Sequence, residues 1–153
     1  MSALKRKRPV STILLLGALV FQALSGLFGG MMLVLDPSGA MLGTPLELLE
    51  NTPFTTFLIP GLLLLTVLGA FPAVISYSLW KTPEWKAAER IEQLFGEHWS
   101  WIGSGVVGVA LLIWLAVELW MVDYSTLLLI YVFTALAILA LTLLPSTRQF
   151  YRA

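Results

Sequence analysis

Apolar residues in this chain come in long runs rather than in alternation with polar ones. Charged side chains are absent from four stretches, residues 9–35, 51–80, 99–117 and 124–147. Leu, Val, Ile, Ala and Phe dominate each of them, with no polar face wide enough for a soluble amphipathic helix. A helix needs ~20 mostly apolar residues to cross ~30 Å of hydrocarbon, and each stretch reaches that length once its flanks are included. In lipid the backbone must satisfy its own hydrogen bonds, which leaves helices or closed barrels, and runs without two-residue alternation do not make barrel strands. The pattern predicts four transmembrane helices, near residues 10–35, 53–80, 99–122 and 124–144. The first is read as a retained span rather than a signal peptide, because its apolar run is longer than the ~7–15 residues of a signal core.

Composition sharpens this into a fold class. Of 153 residues 58% are hydrophobic and 12% are charged, against ~25% charged in an average globular chain. The expectation is an all-α integral membrane four-helix bundle, one domain over residues 1–153. There is no cysteine and one histidine, which excludes disulfides, thiol redox chemistry and any multi-histidine site. Basic and acidic residues balance at nine each, leaving no basic domain for nucleic acid.

The distribution of charge says more than its sum. Lys5, Arg6, Lys7 and Arg8 precede the first span, Lys81, Lys86 and Arg90 lie between the second and third, and Arg148 and Arg152 follow the fourth. The other two connections have none. The positive-inside rule then puts both termini on the cytoplasmic side of the cell membrane. Glu84, Glu89, Glu92 and Glu97 share that side, whereas Asp36, Glu47, Glu50, Glu118 and Asp123 fall at or near the outer one. A net charge of zero is thus about +5 at one end against −5 at the other by this count.

Three Thr-Pro pairs, Thr44-Pro45, Thr52-Pro53 and Thr82-Pro83, suggest N-caps followed by proline at the first helical position. Thr44 with Glu47 reads as a capping box. It predicts a short helix from Pro45 to about Glu50, whose Leu46, Leu48 and Leu49 lie on the membrane surface or fold over the bundle mouth. An amphipathic interfacial helix is expected from Pro83 to about Phe95, closed by Gly96. Trp80, Trp99 and Trp101 at one boundary and Trp120 and Tyr124 at the other make an aromatic belt. In the second span Pro60 and Pro72 are kink candidates, displacing the carbonyls of Thr56 and Leu68.

Candidate chemistry is sparse. Glu118 falls at the outer edge of the third span. With Asp36 and Asp123 nearby in topology and no basic residue on that side, it forms the candidate site for a ligand, an ion or a proton. The alternative is ordinary solvated carboxylates. Gln22 belongs to a stripe of small or polar residues (Ala18, Gln22, Gly26, Gly30) on the first span, for which Ser104, Gly105 and Gly108 on the third offer a packing partner. It is either a packing residue that needs a hydrogen-bond partner or part of a small-molecule pocket. His98, ~30 Å along one helix from Glu118, reads as an interfacial group. No catalytic residue, metal site or cofactor is expected.

The strings Asp36-Pro37-Ser38-Gly39, Leu42-Gly43-x-Pro45 and Thr52-Pro53-Phe54-x-x-Phe57-x-x-Pro60-Gly61, with His98-Trp99-Ser100-Trp101 and Val117-Glu118, resemble a group of small bacterial four-helix membrane proteins. The four-span plan and size also look like DoxX-type membrane proteins, by analogy. The resemblance implies a bacterial inner-membrane location and no particular activity. The leading expectation is a non-enzymatic accessory or oligomeric membrane component, partnered by the bilayer and by a second copy or another membrane protein. The alternative is a small transporter or a lipid- or quinone-binding bundle with an acidic outer-side site around Asp36 and Glu118.

Overall fold

The computed structural model of the chain describes residues 7–121 and 126–152. It is all-helical, with four helices long and apolar enough to cross a membrane: Val10–Leu35, Leu58–Lys81, Trp99–Trp120 and Thr126–Leu143. The first is α1 (Val10–Leu35). The second is composite: α2 (Leu58–Leu65), a wide π turn over Thr66–Ala70, then α3 (Phe71–Lys81). After α4 (Glu89–Phe95) come α5 (Trp99–Met121), α6 (Thr126–Leu143) and a short α7 (Pro145–Phe150).

The small residues decide which helix sits beside which. A Cβ at Gly26 would overlap the Leu68 carbonyl, and one at Gly30 would meet the backbone of Leu65. In return, a Cβ at Gly61 would press on Leu33, and one at Gly69 on the backbone of Leu27. The two backbones are therefore in direct contact, which only glycine permits. The stripe on α1 thus packs on α2, the π turn and α3, and not on α5 as the spacing suggested. The glycines of α5 face elsewhere: Gly108 lies against Leu139 and Gly103 against Ile75. Ser104 Oγ pairs with Thr142 Oγ1 at 3.0 Å. Descending positions on α6 meet ascending positions on α5, so these two helices are antiparallel. Closing contacts between α3 and α5 and between α1 and α6 complete a four-membered ring.

The predicted helix starts at the Thr-Pro pairs do not form. Thr44 Oγ1 donates to the Gly39 carbonyl at 3.0 Å instead of capping, and the chain continues into a 3₁₀ turn over Leu46–Leu49 with no side-chain cap. Thr52 Oγ1 donates back to the Leu49 carbonyl, and α2 starts at Leu58 rather than at residue 53. Thr82 ends α3 in a left-handed conformation (φ 46°), its N–H donating to Ser78. Each pair closes the preceding element, because a residue before proline is pushed out of the right-handed helical region. Pro60, within the first turn of α2, needs no helical donor and produces no kink. The interfacial segment is a 3₁₀ turn over Lys86–Ala88 leading into α4, ended by Gly96 at φ 74°.

At the end of the bundle where α1 starts and α6 finishes, α7 folds back over the helix ends. Thr147 Oγ1 donates to Ser11 Oγ at 2.8 Å, and Ser11 Oγ and Ser146 Oγ lie 2.7 Å apart. Tyr151 is buried, and its hydroxyl donates to the Leu79 carbonyl at 2.8 Å. Burial pushes the Tyr151 phenol up to about 12, with Arg8 opposing the shift. A phenol raised in the folded state contributes stability that is intact below its unfolded value near 10 and is lost as pH climbs through 12. Stability in detergent is expected to fall by about 2–3 kcal/mol between pH 10 and 12. Thermal melts of Tyr151→Phe across the same window should lack that decline.

Candidate functional site

At the opposite end the connection from α1 to α2 is folded onto the bundle. Asp36 organises it: its carboxylate accepts from Ser38 Oγ at 2.6 Å, the Ser38 N–H at 3.3 Å and the Met41 N–H at 3.0 Å. These bonds, that from Ser38 Oγ foremost, hold the Asp36 carboxyl below the usual carboxylate range. The Phe57 N–H donates to the Pro37 carbonyl at 2.8 Å, tying the end of the loop to its start. Leu49 and Phe57 are thereby buried against Leu33. Of the three leucines left between the membrane surface and the bundle mouth, Leu48 and Leu49 fold over the mouth and Leu46 stays exposed.

Beneath this cover lies a partly open cavity of about 620 Å³, bounded by α1, α2, the π turn, α5, Tyr131 of α6 and the loop. That volume falls within the range of small-molecule sites. Its wall is mostly aliphatic and aromatic. The polar residues along it include Gln22, Ser25, Thr44, Glu118 and Tyr131. Glu118 sits toward the acidic end of α5 and is hydrogen-bonded by the side chain of Trp114, one helical turn earlier. Asp36 is not part of the lining; its oxygens are taken up by the loop. Asp123 lies outside the described residues. Of the two described carboxylates of that candidate site, the cavity takes in Glu118 and leaves out Asp36. Among the described residues no cluster of three His, Asp or Glu side chains suits a metal ion.

Gln22 is 1% exposed. Its Nε2 donates to the Leu68 carbonyl at 3.1 Å. Pro72, four residues on, has no N–H for that carbonyl, so the amide of α1 takes up an acceptor that the proline leaves over. The π turn, a widening found often beside functional sites, precedes Pro72 and turns Val67 and Leu68 toward the cavity. Gln22 Oε1 is buried and has no hydrogen-bond partner.

His98 lies at the other end of the bundle and takes no part in the cavity. The Ser100 N–H donates to its Nδ1 at 3.3 Å, and Nε2 lies 3.1 Å from the Pro83 carbonyl. Nδ1 also lies 2.6 Å from Ser100 Oγ, and Nε2 lies 3.7 Å from Glu92 Oε1. The imidazole caps the start of α5 and pins the α3–α4 connection to it.

Sequence reasoning passed over Trp114 and Tyr131. The i, i+4 spacing of Trp114 and Glu118 was the available signal, since such pairs meet on a helix surface. Tyr131 carried none, being one aromatic in a uniformly apolar run. No family model, curated protein or solved structure matches this chain.

Proposed function

We propose that the protein is a non-enzymatic, multi-pass component of the cytoplasmic membrane, with both termini cytoplasmic, that holds an amphipathic molecule drawn from the lipid phase. The confinement of all nine basic residues to the two termini and the connection between the second and third spans supports the orientation. One observation carries the binding reading. A mostly apolar cavity of about 620 Å³ is lined by few polar residues, among them Glu118 toward one end and the buried Gln22. Preformed apolar space with a few convergent polar groups is how lipid-soluble ligands are held.

An oligomeric component, also part of the leading expectation, would not assemble through the close-packed glycines. Gly26, Gly30, Gly61 and Gly69 are occupied by contacts within one copy. A second copy or another membrane protein would have to dock on other surfaces.

The test is retention of bound lipid. Ala110 lines the cavity, and Ala110→Phe fills part of it without touching the glycine contacts. Organic extraction and mass spectrometry of the purified protein should find a stoichiometric lipid-phase molecule. The variant should carry about tenfold less of it with an unchanged melting transition. Equal retention by both proteins would count against the cavity as the binding site.

A further inference from the structure

The binding reading leaves the ligand's chemistry open, and the end of the cavity at Glu118 narrows it. Glu118 lines the cavity and is partly exposed, so a molecule held there can reach it. The Trp114 side chain gives it one hydrogen bond, whereas an ionised carboxylate can accept about four. The chain has no cation for it: residues 9–80 and 91–147 contain neither Lys nor Arg, and His98 belongs to the other end. The charged residues of the neighbouring α1–α2 connection are Asp36, Glu47 and Glu50, all acidic. A carboxylate that borders apolar space is held best by a positive partner, and the chain itself offers none.

Two aromatic residues line the cavity just inside this carboxylate. By 1.5 Å per residue, Trp114 lies about 11 Å from the end of α5 and Tyr131 about 8 Å from the start of α6, against about 5 Å for Glu118. Tryptophan and tyrosine are the rings that attract an ammonium group most strongly. A way in from the lipid is also present. α5 packs on α3, the π turn and α6 but scarcely on α2. Leu63 and Val67 on one side of that gap and Ile113 and Val117 on the other line the cavity and are exposed as well.

We infer that the cavity takes a lipid-soluble cation, an amphiphile whose alkylammonium head pairs with Glu118 beside Trp114 and Tyr131. Its apolar chain lies along Leu64, Leu68 and Leu111. A neutral alcohol of the same length keeps the burial of the chain and forfeits the ion pair. An anionic head meets acidic side chains alone.

The inference rests on the binding reading, and the test keeps the two apart. Equilibrium dialysis in maltoside micelles, with equal detergent on both sides, compares decylammonium, decanol and decanoyl-lysophosphatidylethanolamine. Decylammonium should bind about tenfold more tightly than decanol, as expected when a hydrogen bond to a charged group is gained. Glu118→Gln should bring the amine down to the alcohol and leave the alcohol unchanged. If that variant fails to fold, Tyr131→Leu serves instead; it keeps an apolar wall and should weaken the amine alone, by about threefold. A lysolipid that matches the amine assigns the ammonium to a membrane lipid; one that binds about tenfold less tightly assigns it to a free amphiphilic amine. Either result upholds the ammonium requirement. Equal affinities for amine and alcohol, or an amine preference that survives Glu118→Gln, would overturn the inference and leave the cavity's role standing. Saturable binding of no probe, together with no effect of Ala110→Phe on retained lipid, would overturn the binding reading itself.

Discussion

Gly26→Leu is expected to prevent the bundle from forming. A single Cβ at this position already overlaps the Leu68 carbonyl and crowds the Gly69 backbone. Neither atom belongs to a flexible side chain that can step aside. Forcing extra atoms into packed space costs about 1–3 kcal/mol when side chains can shift; against backbone it should reach the upper end or beyond. The damage would spread, because separating α1 from the π turn also pulls Gln22 away from Leu68. Gly17 supplies the contrast. A Cβ there meets nothing within 4 Å, so Gly17→Ala should leave stability unchanged or raise it by up to about 1 kcal/mol through better helix propensity. Thermal unfolding of the three proteins in one detergent, read by loss of a monodisperse peak, separates the close-packed glycine from the open one.

The contrast between Gly26 and Gly17 also shows what the sequence leaves legible. Both residues stand on the same apolar run, and the run itself locates α1 within a residue or so because a span's length is set by the bilayer. Which small residues are in contact is a matter of pairing between helices. Spacing made α5 as good a partner for the α1 stripe as α2. The choice is made by Gly61 and Gly69, which return the contact from the other side. Helix starts were misread for a related reason. Thr-Pro is compatible with an N-cap, but the same dipeptide closes a preceding turn when its hydroxyl reaches a carbonyl behind it, as Thr44 and Thr52 do. The short α7 escaped notice because six residues with a polar composition carry no hydrophobic period.

The candidate site was legible in pieces. Leu68 could be named from sequence as the carbonyl that Pro72 leaves over, and Gln22 as a side chain in want of a partner. That each answers the other is information about two residues 46 apart in the chain, and no local pattern holds it. Asp36 misled because a carboxylate at a span's end looks like a ligand until its oxygens are followed to Ser38 and Met41. Glu118 kept its interest, since it lines the cavity and is only partly exposed.

Arg148→Met is the second large effect expected, and it acts at the end of the bundle remote from the cavity. Glu97 is 2% exposed and accepts from Arg148 Nε at 2.7 Å. The pair is held in register by the backbone: Glu97 and Arg152 form an isolated bridge, and the His98 N–H donates to the Tyr151 carbonyl at 2.7 Å. The guanidinium lies 5.6 Å from the Trp101 ring centre, and the indole N–H of that ring donates to Thr142. Removing the arginine leaves a buried carboxylate without its cation, which in a closed site costs about 3–5 kcal/mol. Because Arg148 is itself half exposed, water recovers part of this, and a loss of about 2–3 kcal/mol is expected. The double variant Glu97→Gln with Arg148→Met removes the stranded charge and should regain most of the loss. If the single and double variants melt together, the ion pair is not what fastens the C-terminal segment. In that case the Tyr151–Leu79 bond and the packing of α7 hold it. If the double variant recovers while retained lipid stays constant throughout, the fastening end and the binding end of the bundle are energetically separate, as expected for Glu97 just before α5 and Glu118 near its far end.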